Sequence, residues 1–279
     1  MNNQAKNIAD FEDQEQAEVF GLLSEHLIVT PQSQAVFDTL EKRLESRIQT
    51  SITKHAGLRT VRSREGVWHN LGSGIRYKAL WESPQGNSVL VGFSPGSSLP
   101  LHRHNYLEEG IVLSGGLQLD ELELTQFDYH VSPAGSRHGR IRSTQGALAY
   151  LRGSSLGQPL SMFKEMLGGL LPNDHQESES IMDNESGWVE IQEGVCQKEL
   201  WTDGKVVSRY VRMEVGTRID GYEHPLDEEC MVLSGDIFIG DILLQEGDYI
   251  LAPAGTGPID IFSDTGALFF LRGAVQTSK

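Results

Sequence analysis

The sequence predicts an all-β protein, a sandwich or barrel repeated in tandem, that follows a helical N-terminal extension. The first observation behind this prediction is an internal repeat, in which Trp68 recurs as Trp188 and His104 recurs as His224, each at an offset of 120 positions. The second is a series of short, β-prone apolar runs between turn residues, in a chain with 30 glycines and 10 prolines. Many short strands at regular spacing are typical of sandwiches and barrels.

The repeat organises most of the chain. Because the offset is constant, the two copies are expected to share one fold and one loop pattern, with almost no net insertion between them. The matching residues and segments are Trp68 and Trp188, Lys78 and Lys198, Trp81 and Trp201, Gly96 and Gly216, His104 and His224, Glu108 and Glu228, 112–115 and 232–235, 133–135 and 253–255, and 151–153 and 271–273.

Strands are predicted at the apolar runs within each copy. Turn sequences, such as those at 94–96, 114–116 and 133–135, separate these runs. The predicted strands are 88–93, 110–113, 129–132, 148–151, 206–213, 230–233 and 249–252.

The N-terminal extension is predicted to be helical. Thr30 is the expected N-cap of one helix, with Pro31 at its first position. A shorter helix is predicted over residues 14–27. Two interpretations stay open for these helices, packing on the barrels or binding a partner protein or second subunit. The residues predicted to share one helix face are Phe37, Leu40, Leu44 and Ile48.

Composition excludes several classes of function. The formal net charge of −16 disfavours binding to nucleic-acid phosphates and to anionic membrane surfaces. No apolar run is long enough for a spanning helix, and the N-terminus lacks the pattern of a signal peptide. Cys196 and Cys230 are the two cysteines, which suggests no disulfide framework and fits a reducing cytoplasm. We therefore expect a cytoplasmic protein.

Four residues of the first copy form a candidate metal-ligand set. His102 and His104 are two apart, so in a strand their side chains point to the same face. Glu108 can return on the adjoining stretch, and His138 follows the turn at 133–135. Three imidazoles and one carboxylate suit a divalent transition metal, namely Zn, Fe, Mn, Ni or Cu.

These residues carry a resemblance to the cupin superfamily. Gly96, His102, His104, Glu108 and Gly115 have the spacing of the first cupin motif. The second motif is matched in its latter part, Pro-Ala-Gly-Ser-Arg-His at 133–138, whereas its leading glycine is Phe127 here. The resemblance implies a bicupin, two jelly-roll barrels in tandem over about residues 60–275, with the four residues named above as ligands of one metal per chain. The predicted divisions are 1–58 for the helical extension, 59–172 for the first cupin, 173–187 for a linker that has several acidic residues and no Lys or Arg, and 188–279 for the second cupin.

The second copy departs from the cupin pattern. Tyr222 stands at the first His position and Pro258 at the last, while His224 and Glu228 remain. We expect a degenerate barrel kept for packing, dimerisation or an organic ligand. An alternative ligand set that adds Cys230 to Tyr222, His224 and Glu228 stays open.

A closer resemblance within the cupins is to the ChrR-like cupins of anti-sigma factors. It is carried by the sequence Gly-Ile-Arg-Tyr-Lys-Ala-Leu-Trp at 74–81, by the doubled acid Glu108-Glu109 and by the helix that begins at Thr30-Pro31. Members of that family hold an extracytoplasmic-function sigma factor inactive through a domain built around zinc. Residues 1–195 contain no cysteine, and His26 is the one histidine before residue 55, so the pattern of that zinc domain is absent here.

Three functions remain as hypotheses. In the first, the chain is a metal-binding sensor that regulates a sigma factor or another protein through its N-terminal helices. In the second, it is a non-haem metal enzyme, such as an Fe dioxygenase that cleaves a diketone; its catalytic residues are unknown. In the third, the metal is structural in a storage or scaffolding bicupin. Cupin barrels often pair, so we also expect a homo-oligomer. Residues that could line a small-molecule pocket are Arg103, Tyr129, His130 and Arg137.

Overall fold

The computed structural model describes residues 34–168, 177–184 and 186–275 of the chain. The chain divides into an N-terminal unit, residues 1–53, and a larger unit, residues 54–279. The described residues contain two helices, α1 (Gln34–His55) and α2 (Pro159–Gly168). The N-cap predicted at Thr30 and the helix predicted over 14–27 lie outside the described residues. No helix in the described part of the chain is both long enough and apolar enough to span a bilayer.

Helix α1 carries the predicted apolar face. Its length of 22 residues includes Phe37, Leu40, Leu44 and Ile48, spaced by three or four positions. Phe37 is 55% exposed and Leu40 is 62% exposed. The face therefore consists of large apolar side chains that remain accessible to solvent.

The strands confirm the all-β prediction and the tandem arrangement. Those associated with the first repeat are β1 (Arg59–Val61), β2 (Trp68–Gly72), β3 (Ile75–Trp81), β4 (Asn87–Phe93), β5 (Ser98–Leu99), β6 (His102–Arg103), β7 (Glu108–Gly115), β8 (Leu117–Leu119), β9 (Leu122–Leu124), β10 (Tyr129–Ser132), β11 (Arg137–His138), β12 (Ile141–Arg142) and β13 (Ala147–Ser154). Those associated with the second are β14 (Glu179–Ile181), β15 (Trp188–Gln192), β16 (Val195–Thr202), β17 (Val206–Met213), β18 (Arg218–Ile219), β19 (Glu228–Ile239), β20 (Ile242–Gln245), β21 (Tyr249–Ala252), β22 (Ile261–Phe262) and β23 (Ala267–Ala274). The strands predicted at 129–132, 206–213 and 249–252 have the observed bounds, and the other four predictions fall within longer strands.

Each repeat folds as a barrel with its own apolar interior. In the first, a sheet in the order β14-β10-β7-β13-β4-β3-β2 faces a sheet in the order β5-β12-β8-β9, and β11 pairs with β6. In the second, the main sheet has the order β1-β21-β19-β23-β17-β16-β15. Strands β20 and β22 also pair with β19, and β18 pairs with β22. Val91, Val112 and Ile141 lie in the first interior, whereas Val211, Val232 and Ile261 are their counterparts in the second.

The two barrels exchange a strand. Strand β1, which precedes the first barrel, pairs antiparallel with β21 of the second, where Thr60 lies opposite Ile250. Strand β14, which precedes the second barrel, pairs antiparallel with β10 of the first, where Ser180 lies opposite His130. The sequence predicts an acidic linker over residues 173–187. That interpretation does not hold for Glu179–Ile181, because these residues extend the sheet of the first barrel.

Hydrogen bonds hold the end of each exchanged strand. The backbone amide of Ser63 donates to Asp248 Oδ1 at 2.7 Å, and that of Asp183 donates to Asp128 Oδ1 at 2.7 Å. These two contacts are related by the 120-residue offset. Because both carboxylates are buried, the exchanged strands are attached to the opposite barrel by side chains as well as by sheet pairing.

A single apolar cluster joins the barrels. It includes Leu90, Ile111 and Tyr150 from the first repeat and Met231, Tyr249 and Phe270 from the second. The rings of Tyr150 and Phe270 lie 5.6 Å apart between centroids. The barrels therefore share a third core in addition to their two interiors.

Two buried carboxylates lie in this shared core, and each is bonded by groups from both repeats. Glu229 accepts hydrogen bonds from Ser88, Tyr150 (3.1 Å), Arg152 Nε (3.2 Å) and Tyr249 (2.8 Å). A buried charge is tolerated only where such partners compensate for lost hydration.

Glu109 is the repeat equivalent of Glu229. It accepts hydrogen bonds from Tyr129 at 2.7 Å and from Arg272 of the second repeat. Arg272 corresponds to Arg152 through the same offset. Each barrel therefore supplies the arginine of one Arg–Glu pair and the glutamate of the other.

The turn before β10 keeps its conformation although its glycine is replaced. Phe127 has a φ of 65°, and its counterpart Gly247 has a φ of 81°. A left-handed conformation is costly for a side chain as large as phenylalanine. Phe127 packs against the shared core, and its carbonyl accepts a hydrogen bond of 2.8 Å from Tyr210. These contacts offset the strain.

A pair of glycine substitutions would test how tightly the first barrel is packed. Gly115 and Gly96 have similar φ values of 75° and 78°. A Cβ at Gly115 would lie 2.0 Å from the carbonyl oxygen of Gly146, whereas a Cβ at Gly96 meets nothing within 4 Å. Both alanine variants incur a backbone cost of about 1–2 kcal/mol. We expect the free energy of unfolding of Gly115→Ala to fall by a further ~1–3 kcal/mol, because β7 and β13 must separate.

Urea unfolding of the Gly115→Ala and Gly96→Ala proteins measures this difference. Equal losses would contradict the close approach of the two strands.

Candidate metal centre

The structure brings three of the four predicted ligands together in the first barrel. His102 lies on the short strand β6, His104 follows it, and Glu108 begins β7. One ligand atom from each of the three lies within 4.8 Å of the others. His104 Nδ1 is 3.6 Å from Glu108 Oε1, and the two imidazole centroids are 5.0 Å apart.

Local contacts orient the first imidazole. His102 Nδ1 lies 2.9 Å from the carbonyl oxygen of Pro100. Because a carbonyl oxygen can only accept, Nδ1 carries the proton in this contact, and Nε2 offers its lone pair. A backbone carbonyl that fixes the tautomer in this way is a common outer-sphere feature of histidine metal ligands.

The fourth predicted ligand, His138, is described through its backbone alone. Strand β11 pairs with β6, so that His138 lies directly opposite His102 in the register. Its side chain lies outside the described part of the structure. The role of His138 as a ligand therefore stays a prediction.

The donor set of the three described residues fits a divalent transition metal. Two imidazoles and a carboxylate are ligands that Zn, Fe and Mn accept, and His104 is only 2% exposed. When bound, such an ion would act as a Lewis acid with coordination positions left for small molecules. Among the residues that the structure describes, these three form the one group of His, Cys, Asp and Glu side chains close enough to share a metal.

A cavity of about 300 Å³ opens onto the ligand group. Its polar lining includes His102 and Glu108 from the ligand group, and Ser154 and Glu165 beside it. No lysine or arginine lines this cavity in the described structure. The remaining walls are mostly apolar, formed by Leu71, Ile75, Leu99, Ile141, Leu151, Leu156 and Met162.

Glu165 is a polar residue of this cavity that is not among the candidates predicted from the sequence. It lies on α2, which follows the last strand of the first barrel. Its carboxylate accepts hydrogen bonds from Ser155 Oγ at 2.7 Å and from the amide of Asn105 at 3.1 Å. The helix could have been found from Pro159, because proline favours the first position of a helix. No sequence signal directs Glu165 into the cavity.

The four residues proposed as pocket-lining have other surroundings. Tyr129 is fully buried and donates to Glu109 in the shared core. Arg103 Nε donates to the carbonyl of Gly135 at 2.9 Å, and Arg137 pairs with Arg103 through the backbone. These three residues do not line the cavity of about 300 Å³. The side chain of Tyr129 lies in the shared core, and Arg103 and Arg137 lie on the paired strands β6 and β11.

His130 lines a second, smaller cavity of about 40 Å³ inside the barrel, together with Glu108. Its Nδ1 lies 2.7 Å from Ser180 Oγ on the exchanged strand β14. Burial lowers the pKa of His130 to about 4, so the ring is neutral at physiological pH. His130 therefore links the interior of the barrel to the exchanged strand.

The second barrel differs at the equivalent position. Tyr222 donates a hydrogen bond of 2.6 Å to Glu228 Oε1, and His224 Nε2 lies 3.4 Å from the same oxygen. Cys230 is buried beside them, and burial raises the pKa of its thiol well above the ordinary range. The enclosed space there is about 20 Å³, room for roughly one water molecule. Tyr222 thus binds the carboxylate that a metal would otherwise engage.

Metal affinity should depend on pH through Glu108. In the metal-free protein, burial and then the nearby Glu165 raise the pKa of Glu108 to about 8. A metal binds the carboxylate form, so below this pKa binding must release a proton. We expect affinity to rise by up to about tenfold per pH unit towards pH 8 and to level off above it. Competition with a chromophoric chelator at several pH values measures this.

Glu165→Gln is the matched variant for this prediction. Removal of its negative charge should lower the pKa of Glu108 and move the levelling point to lower pH. Affinity that is independent of pH below 8 in the unsubstituted protein would contradict the assignment of Glu108.

The fold and the site define a bicupin with a His and Glu group suited to a divalent metal in its first barrel. The chain belongs to the family of ChrR cupin-like domains, whose profile matches residues 57–155 and again residues 176–276. No curated protein matches the chain.

Solved structures share the fold. A protein of Nostoc punctiforme, provisionally described as a dioxygenase, is 16% identical with a TM-score of 0.63, over 80% of this chain and 87% of its own. A protein of Pseudomonas aeruginosa, provisionally described as glyoxylate-induced, is 14% identical with a TM-score of 0.58, over 80% and 91%. A variant of Bacillus subtilis oxalate decarboxylase is 15% identical with a TM-score of 0.53, over 79% and 78%. At these identities the likeness concerns the fold alone.

Proposed function

We propose that this chain is a cytoplasmic regulatory protein whose first barrel binds one divalent transition metal and senses a small molecule there. The observation that carries the proposal is the ligand group of His102, His104 and Glu108, two of whose members, His102 and Glu108, line a cavity of about 300 Å³. A cavity of this size accommodates a small organic molecule that could reach the metal. Membership of the ChrR cupin-like family supports a regulatory role.

Helix α1 is the proposed contact for the regulated protein, a sigma factor or another protein. Its apolar face includes Leu44, 58% exposed, and Ile48, 46% exposed. Exposed large apolar side chains in one stripe are typical of surfaces that bind another helix or groove. The net charge of −16 favours a protein partner over nucleic acid. A second copy of the chain is the alternative partner, as expected for a homo-oligomer.

Metal analysis is the first test of this proposal. Elemental analysis of protein purified without oxygen should give one metal per chain, and X-ray absorption at the metal edge should show nitrogen and oxygen ligands. A chain without bound metal would contradict the proposal. Four-coordinate Zn with no exchangeable water would contradict small-molecule sensing at the metal and favour a structural role.

The helix is tested separately. Tagged full-length chain, expressed in its own host, should copurify with one regulatory protein, identified by mass spectrometry. Leu44→Glu should abolish the complex, whereas Lys42→Glu, on another face of α1, should preserve it. A complex that survives Leu44→Glu would contradict the role of the apolar face.

A non-haem dioxygenase is the second candidate, and the lining of the cavity favours it. The apolar walls and the absence of lysine and arginine from the described lining suit a neutral chelating molecule such as a diketone. In this case His102, His104 and Glu108 would hold Fe, and Leu99, Leu151 and Met162 would orient the substrate and exclude water. Oxygen consumption by the Fe-loaded protein with pentane-2,4-dione tests this candidate. Turnover would favour the enzyme, and its absence with bound Fe would favour the sensor.

A further inference from the structure

The mouth of the second barrel contains a larger groove than the first, about 620 Å³ in volume. Arg209 and Tyr222 lie on its inner side, and Glu199, which is exposed, lies at its rim. The apolar part of the lining consists of Ile191, Val207, Val211, Ile219, Leu271 and Val275. Glu228, which is buried behind Tyr222, does not line this groove.

Arg209 occupies a position that is apolar in the first barrel. Its equivalent at the 120-residue offset is Val89, which is fully buried. The sheet register confirms this equivalence, because Val89 lies opposite Ala79 and Leu151 while Arg209 lies opposite Glu199 and Leu271. The second barrel has therefore gained a fixed positive charge in its interior wall.

The same barrel has lost the donor set of a metal site. Tyr222 replaces the imidazole of His102, and its hydroxyl is bonded to Glu228. The guanidinium of Arg209 lies on the other side of that carboxylate, with Nη2 4.0 Å from Glu228 Oε2. A guanidinium thus supplies a positive charge beside Glu228, at the carboxylate oxygen that does not face Tyr222 and His224.

The guanidinium keeps donors for a ligand. The distance of 4.0 Å to Glu228 is too long for a hydrogen bond, and an arginine side chain offers five N–H donors in a fixed planar arrangement. The side chain of Arg209 is only 12% exposed, so a bound anion would be largely shielded from solvent. Such a site favours a planar carboxylate, which accepts two parallel N–H groups.

We propose that the groove of the second barrel binds a small organic carboxylate with an apolar body. The carboxylate pairs with Arg209, and the body packs against Val211, Ile219 and Leu271. This site needs no metal and does not depend on the function proposed for the first barrel. It also explains why a barrel without its metal ligands retains an open, apolar mouth.

Benzoate is the probe, and benzamide is its neutral control. Calorimetric titration of the full-length chain should show one benzoate site per chain, with benzamide at least about tenfold weaker. The His104→Ala protein should bind benzoate equally well, which separates this site from the first barrel. Binding that is lost in His104→Ala, or no saturable binding at millimolar benzoate, would overturn the proposal.

Three substitutions localise the site. Arg209→Val, which installs the residue of the first barrel, should weaken benzoate binding at least about tenfold, and Arg209→Lys should weaken it less because charge is kept. Glu199→Gln should strengthen it, since a competing negative charge is removed from the rim. If Arg209→Val fails to fold, the other two variants still test the site, because Arg209→Lys should weaken benzoate binding and Glu199→Gln should strengthen it. Unchanged affinity in the arginine variants would overturn the assignment.

Discussion

His104→Ala should leave the protein without bound metal. His104 is buried and lies between His102 and Glu108, so its loss reduces the described ligand group to two side chains. We expect the metal content to fall from one per chain to none after desalting, with affinity reduced by at least about a hundredfold. Elemental analysis of both proteins, prepared side by side, measures this.

His224→Ala is the matched control, since His224 is the repeat equivalent of His104. Tyr222 and His224 surround a carboxylate in the second barrel that is already hydrogen-bonded, so this substitution should leave the stoichiometry at one. A wild-type ratio near two, or a loss of metal in His224→Ala, would show that the second barrel also binds metal.

Arg152→Ala should produce the largest loss of stability. Its guanidinium crosses between the repeats to the buried Glu229, and removing it leaves that carboxylate without its cationic partner. Breaking a buried pair in this way typically costs about 3–5 kcal/mol. Urea unfolding, followed by tryptophan fluorescence, should show this loss as a lower midpoint.

Arg218→Ala is the control for this prediction. Arg218 pairs with Asp260 at a shorter distance, 2.7 Å, but its side chain is 58% exposed. An exposed pair contributes about 0–1 kcal/mol, so this variant should be nearly as stable as the original chain. Equal losses in the two variants would show that burial of the Arg152–Glu229 pair does not determine its contribution.

The repeat made much of the fold predictable. Because Trp68, His104 and Gly115 all recur at one offset, a barrel predicted for the first repeat could also be predicted for the second. Strands such as Val206–Met213 could be predicted because they are runs rich in β-branched residues between turns. The pairing of His102 with His104 followed from strand periodicity, since residues two apart share a face, whereas Glu108 was assigned from the spacing of the cupin motif.

Long-range features could not be predicted in the same way. Strands β1 and β14 have three residues each, too few for their pattern to specify a pairing partner. Glu108 and Glu109 are adjacent in sequence, yet one faces the ligand group and the other the shared core, and only the sheet decides which. The repeat aligns Arg209 with Val89, but only the structure shows that Val89 is buried in the first barrel and that Arg209 lines a groove in the second.

The strand exchange makes the two barrels inseparable as modules. A chain cut after Gly168 would yield one fragment that carries β1, whose partner β21 lies in the other, and a second fragment that carries β14, whose partner β10 lies in the first. Each fragment alone would expose an unpaired sheet edge and half of an apolar core, which favours aggregation. The nicked halves should therefore stay together as a heterodimer, and neither barrel should be obtainable in folded form without the other.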